Sequence, residues 1–126
     1  MSHDTTADAL NMLKNAKKAG KDNVKIKIVS KLFTEILKIM KQEGAIKKYK
    51  VNQEEKFIEI SLGDFSESKA IKPRFSTSKN QIEKYKRRYL PAKNIGTIIL
   101  STNKGLITHK EAEEEKIGGC LIAYFY

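Results

Sequence analysis

The chain has 126 residues, 40% of them hydrophobic and 32% charged, with 25 Lys and Arg against 15 Asp and Glu for a formal net charge of +10. That length supports one or two small domains with a buried core. No apolar run approaches the roughly 20 residues of a membrane-spanning helix, the N-terminus lacks the long apolar region of a signal peptide, and the single cysteine, Cys120, rules out an intramolecular disulfide and fits a reducing, intracellular setting.

Residues 5–19 read as a helix. Asp4 or Thr5 caps it, Ala9, Leu10, Leu13 and Ala16 form one apolar stripe, and Gly20 ends it. Val24–Ile28 alternates as a strand does, apolar on one face and carrying Lys25 and Lys27 on the other. Ser30 stands at the start of a second helix, with Leu32, Phe33, Ile36, Leu37 and Met40 at helical spacing and Gly44 as its stop. Strands follow at Ile46–Val51 and Phe57–Leu62, joined by a turn at Asn52–Glu55. The order α-β-α-β-β predicts a small sheet with two helices packed on it.

Gly63–Ser68 reads as a polar link, so the expected organisation is an N-terminal α/β module over 1–62, a linker over 63–68 and a C-terminal module over 69–126. Beyond the link the composition shifts. Lys69–Lys93 holds nine basic residues, including every arginine of the chain, and Glu83 is the only acid among them. Phe75, Tyr85, Tyr89, Pro73 and Pro91 are interleaved. Arginines such as Arg74, Arg87 and Arg88 suit phosphate contacts, and exposed aromatics suit bases; Phe75 and Tyr89 serve equally well as core residues. Ile95–Leu100 is almost unbroken apolar and reads as a strand covered on both faces.

That strand runs into Ser101-Thr102-Asn103-Lys104-Gly105, and Thr108 and Glu111 follow at capping-box spacing. The stretch reads as strand, tight turn and short helix, the helix continuing to about Lys116. Hydroxyls at a rigid strand end can read a ligand, and they can also close a turn on their own backbone; the residues alone leave both open. The helix carries Glu111, Glu113, Glu114 and Glu115, an acidic patch expected to face away from any phosphate. Gly118-Gly119 makes a turn into a last strand, Cys120–Tyr126. The expected fold class is α+β, with a mixed, β-rich C-terminal module holding one short capped helix.

The positive charge points to a polyanionic partner. Its spread over several elements suits a folded nucleic-acid binder better than a membrane-surface helix. Neither His3 nor His109 has a partner at metal-ligand spacing, and the chain has no Walker-type loop and no nucleophile with an adjacent base. His109 is expected at the surface and Cys120 as a small buried side chain. No catalytic residue, metal site or cofactor is therefore expected, and a binding protein is favoured over its rival, a nucleic-acid-acting enzyme using His109 or Cys120.

The chain resembles the small-subunit ribosomal protein S-eight (universal uS-eight) family, in its archaeal and eukaryotic branch. The resemblance rests on Asp4, Ala7, Asp8, Leu10, Lys14, Asn15 and Ala16 in the first helix, on Ser30-Lys31-Leu32 and Gly44-Ala45-Ile46, on Ala70–Phe75 and Tyr89–Ala92 as a central insert, and on Ser101-Thr102, Gly105, His109, Glu111-Ala112 and Gly118-Gly119. It implies a two-domain protein of the cytoplasmic ribosome that binds the central domain of small-subunit ribosomal RNA and contacts neighbouring ribosomal proteins. It also implies a monomer outside the ribosome, with no membrane role.

By position, the family's primary RNA site falls on Ser101, Thr102 and Gly105, with Asn103 and Lys104 in the same turn. Supporting contacts fall on Lys14, Asn15, Ser30, Lys31, Lys72, Arg74, Arg87, Arg88 and Gly119. Asn103 stands where bacterial relatives carry a hydroxyl, which replaces one contact by an amide, and Cys120 stands where relatives carry a charge. Some members also bind messenger RNA to repress their own synthesis, so a freestanding regulatory RNA-binding protein is the alternative.

Overall fold

The computed structural model describes residues 5–27, 31–71, 76–92 and 95–126. The chain divides into two compact units, one ending at Ser68 and the other beginning at Lys69.

In the first unit the periodicities of the sequence become α1 (Thr5–Lys18), β1 (Asn23–Lys27), α2 (Lys31–Gln42), β2 (Ile46–Asn52) and β3 (Phe57–Leu62). The sheet has the order β1-β3-β2 and both pairings are antiparallel. One face is apolar: Ile26, Ile58 and Ile60 are buried, together with Leu10, Leu13, Phe33, Ile36, Leu37 and Met40 of the two helices. Each helix ends in the paired bonds of a Schellman turn, Gly20 N–H to Lys17 and Lys21 N–H to Ala16 in α1, and Gly44 N–H to Lys41 and Ala45 N–H to Met40 in α2. The β2–β3 turn is held by the Asn52 amide oxygen, which accepts from Glu55 N–H at 3.0 Å. Ser30, expected to cap α2, lies outside the described residues.

The strand β4 (Ser68–Ala70) begins on the last residue of the first unit, and the second unit continues with β5 (Ser76–Thr77), a 3-10 turn at Lys79–Gln81, α3 (Ile82–Tyr89), β6 (Thr97–Thr102), β7 (Gly105–Thr108), α4 (His109–Glu115) and β8 (Gly119–Phe125). Its sheet runs β4-β8-β6-β7, with β5 also pairing β8. One core gathers Ile71, Ile82, Tyr85, Leu90, Ile98, Leu100, Ile107, Ala112 and Leu121.

The α+β class holds, with three local differences from expectation. The helix α3 lies inside the basic stretch, burying Ile82 and Tyr85 at i and i+3 while Glu83, Lys84, Arg87 and Arg88 face outward; dominance of charge in that segment hid a narrow apolar stripe. The strand β6 begins at Thr97, leaves Ile95 exposed, and continues through Ser101 and Thr102. Between the turn and the capped helix comes β7, too short for its alternation to register in sequence.

Candidate nucleic-acid interface

The site is built on the β6–β7 hairpin of the second unit. Its pairing runs Leu100↔Ile107, Ser101↔Leu106 and Thr102↔Gly105, which leaves Asn103 and Lys104 as the turn. Leu100 is fully buried and Ile107 nearly so, so the hydroxyl residues are continuations of a strand fixed from within the core. Gly105 takes φ +98° where the hairpin closes, the left-handed backbone that favours glycine.

Ser101 and Thr102 have different tasks. The Thr102 hydroxyl donates to the Gly105 carbonyl at 3.0 Å and accepts from Lys104 N–H at 3.1 Å, so it locks the turn. The Ser101 side chain, half-buried, has no hydrogen-bond partner among the described residues. A rigidly placed hydroxyl with both its proton and its lone pairs available is suited to reading a base edge or a 2′-hydroxyl.

Cross-strand register extends the site. Ser101 pairs with Cys120 of β8, and Cys120 with Ser76 of β5. Directly opposed residues share a sheet face, so Leu106, Ser101, Cys120 and Ser76 form one row across four strands. The neighbouring strand is allowed to approach by Gly119: a Cβ there would lie 2.6 Å from the Ser101 carbonyl oxygen and 2.8 Å from Thr102 Cγ2. Ser101, Thr102, Asn103, Lys104, Gly119 and Cys120 border a groove of about 480 Å³ that Ser76 also lines. Ser76 carried no signal in the sequence, because only the β5–β8 pairing brings it here.

The acidic helix does not stay clear of this site. Lys104 Nζ lies 3.3 Å from Glu115 Oε1, an exposed pair. Glu113 joins Glu83 in holding Lys86, at 3.2 Å each. Burial alone would lower the Lys86 pKa, but the hydrogen bonds and charges of Glu83 and Glu113 outweigh it and hold the ammonium above its ordinary value. The acidic patch therefore neutralises cations of its own unit.

Thr108 caps α4, accepting from Glu111 N–H at 3.2 Å, and its own hydroxyl reaches the Glu111 carboxylate at 3.4 Å. His109 corrects the expectation of a surface residue: it is 2% exposed, and its Nδ1 accepts from Ile98 N–H at 3.0 Å. Its position in the first turn of a surface helix gave no hint that the imidazole turns inward to satisfy β6. Burial first, then the Lys86 and Lys110 charges, lower its pKa, so the ring is held neutral. Cys120 is half-buried and free.

Of the remaining predicted residues, Arg87 and Arg88 are exposed on α3, and Arg88 lies over the Tyr89 ring at 5.4 Å. Arg87 lines a separate groove of about 290 Å³ with Glu83, Lys86, Leu90 and Pro91. In the first unit Lys14 is paired with Glu67 at 3.0 Å, while Asn15 and Lys31 are exposed. Ser30, Lys72 and Arg74 lie outside the described residues.

Among the described residues, no cluster of three or more His, Cys, Asp or Glu is placed to hold a metal, and no helix is long and apolar enough to cross a membrane.

The family described as "Ribosomal protein S8" matches residues 4–126. Curated relatives named "Small ribosomal subunit protein uS8" align over the full length of both chains: 50% identical from Nanoarchaeum equitans, 42% from Picrophilus torridus and 41% from Archaeoglobus fulgidus.

Proposed function

Because this chain belongs to the ribosomal protein S8 family, we propose that it is a structural, RNA-binding component of the small ribosomal subunit, acting in the ribosome, whose β6–β7 hairpin grips the central domain of the ribosomal RNA. The observation that carries this reading is the contrast between two adjacent hydroxyls. Thr102 is consumed in closing the turn, and Ser101 is presented without a partner among the described residues, at the end of a strand anchored in the core.

The division of labour follows from the chemistry. Exposed lysines and arginines supply salt-dependent attraction to phosphate. The held hydroxyl, with Asn103 beside it, supplies discrimination by hydrogen bonds to bases or 2′-hydroxyls in a distorted helix. Nothing in this function requires a chemical step. The burial of His109, with one ring nitrogen occupied by Ile98 N–H, weighs against an enzyme that would use it.

Replacing Ser101 by alanine tests the assignment. Binding to an RNA hairpin from the central domain should weaken by about 1–3 kcal/mol, as for a hydrogen bond lost from a desolvated site, with no change in melting temperature. Undiminished affinity would place the RNA site elsewhere.

A further inference from the structure

We propose that His109 is a positioning residue for the hairpin's RNA site: its imidazole closes the β6–β7 ladder in place of a backbone acceptor, so RNA on the hairpin and a proton on the ring exclude one another. This rests on the RNA-binding reading of the hairpin given above and adds its regulation.

The role follows from register. The ladder pairs Thr102 with Gly105, Ser101 with Leu106, Leu100 with Ile107 and Ile99 with Thr108. The next position, opposite Ile98, belongs to His109. There the chain turns into α4, of which His109 is the first residue, so its carbonyl is directed into the helix. The side chain returns in its stead, and Nδ1 accepts from Ile98 N–H at 3.0 Å. Ile98 is fully buried and is paired on its other side with Tyr124 of β8. An N–H in that position has no solvent to turn to if its acceptor leaves.

The hairpin is thus fastened at both ends by side chains. Thr102 locks the turn. His109 locks the open end, about 10 Å along β6 from Ser101. Its neighbour Thr108 ends β7 and caps α4 by accepting from Glu111 N–H. An imidazole that leaves its place therefore pulls on the last ladder pair and on the first turn of α4 together.

A proton undoes the arrangement. A backbone N–H bonds only an unprotonated ring nitrogen, so an imidazolium sets two donors against each other. The ring is also deep in the unit, 2% exposed. Burial opposes its charge most, Lys86 of α3 and Lys110 of α4 oppose it further, and Glu113 of α4 favours it. Glu113 is already engaged with Lys86, as is Glu83, at 3.2 Å each. Glu111 is turned to the Thr108 hydroxyl at 3.4 Å. From the sheet, α4 packs on β6 and β7, whose core residues Ile98, Leu100 and Ile107 are apolar. A charged ring has to leave for water. The hairpin accordingly has two states, closed over a neutral imidazole with Ser101 held, and open with the imidazole protonated outside. RNA that reads the held hydroxyl takes the closed state and a proton takes the open one, so each weakens the other by the same factor.

The test follows the full chain from about pH 7.5 to about pH 4.5 at constant ionic strength, reading the His109 ring by NMR and affinity for an RNA hairpin from the central domain. As His109 titrates, affinity should fall with a slope approaching tenfold per pH unit, the limit for one proton. Binding to an unrelated hairpin of equal length should not weaken. In His109→Asn the Oδ1 atom stands where Nδ1 stood and cannot titrate, so affinity at pH 7.5 should be kept and its fall on acidification abolished. The reciprocal effect needs no variant: in the complex His109 should titrate at lower pH than in the free chain. Parallel pH profiles for wild type and His109→Asn overturn the proposal, as does an equal pKa in free and bound chains. So does a ring that stays neutral throughout the range, or weakening that coincides with unfolding of the first unit. Ser101→Ala separates the two readings. If it loses affinity while wild type shows no pH dependence, only this proposal fails. If it keeps affinity while the Ile98 and Ser101 amide signals still shift with the titration of His109, the RNA assignment of the hairpin fails and closure of the ladder by His109 stands.

Discussion

Among the described residues, Lys25, Lys27, Lys48 and Lys50 of the first unit's sheet stand exposed without carboxylate partners, on a surface whose contacts include one amide–hydroxyl bond and one cation over a ring. At the second unit's hairpin the reverse holds. Lys104 is held by Glu115, Thr102 is fixed at both ends of a tight turn, and the strand beneath is buried. One region has charge without geometry, the other geometry with its charge largely cancelled. Long-range charge sets how strongly and how fast an RNA is attracted but not which RNA; fixed donors and acceptors discriminate but reach only what touches them.

The sharpest break in that comparison would come from loosening the hairpin's foundation. His109→Ala leaves Ile98 N–H without its acceptor and opens a cavity beside β6, so it should cost about 2–4 kcal/mol of stability and abolish discrimination between cognate and unrelated RNA. The salt dependence of non-specific binding, which comes from exposed cations, should persist. The histidine also predicts a pH signature. Its folded pKa lies below the 6.5 of the free side chain, so the unfolded chain binds the extra proton first. The stabilisation it contributes is complete above about pH 6.5 and is lost as pH falls through the folded value. Urea unfolding at pH 7.5 and pH 5 should show wild type losing more stability on acidification than His109→Ala; parallel losses would contradict a buried neutral ring.

A smaller effect separates the two hydroxyls. Thr102→Val removes both turn bonds while keeping the branched shape. It should cost about 1 kcal/mol in thermal or denaturant unfolding and lower RNA affinity through a slackened turn, whereas Ser101→Ala should move affinity alone. If both variants behaved alike in both measurements, the separation of locking from reading would be lost. The smallest effect is expected at Glu115→Gln. An exposed pair of this kind contributes about 0–1 kcal/mol, so stability should barely move. Releasing Lys104 should tighten RNA binding modestly and steepen its salt slope by up to about one, making the hairpin resemble the first unit's face.

Much of this is legible in the amino-acid sequence alone. The stripe Ala9, Leu10, Leu13 and Ala16, the alternation around Ile26 and the helical spacing of Phe33, Ile36, Leu37 and Met40 all report burial directly, because period and exposure are physically coupled. Ser101–Gly105 stood out through its abrupt change of character, and family resemblance singled out Gly119. What escaped notice depends on partners distant in sequence. Only the β5–β8 pairing brings Ser76 beside Cys120, only α4 packing turns Glu113 and Glu115 toward lysines, and only the bond to Ile98 explains a buried His109. The lysines of β1 were visible as one face of a strand, but that Lys48 and Lys50 share it follows from β3 lying between them. The different tasks of Ser101 and Thr102 depend on bonds to Lys104 and Gly105 that local residue types do not determine.

The position of β8 has a bearing on how the molecule is made. It pairs with β4, β5 and β6, and it follows all of them in the chain. During synthesis the strands of the first unit are complete by Leu62, so that unit can fold while the rest is still being translated, as N-terminal domains commonly do. The second sheet lacks its hub until β8 emerges. Until then the edge of β6 at Ile98, Ile99 and Leu100 that will face β8 is unpaired and apolar, the kind of segment that invites association with other chains. The charged sheet of the first unit is thus complete on the nascent protein before the sheet that carries the β6–β7 hairpin can be.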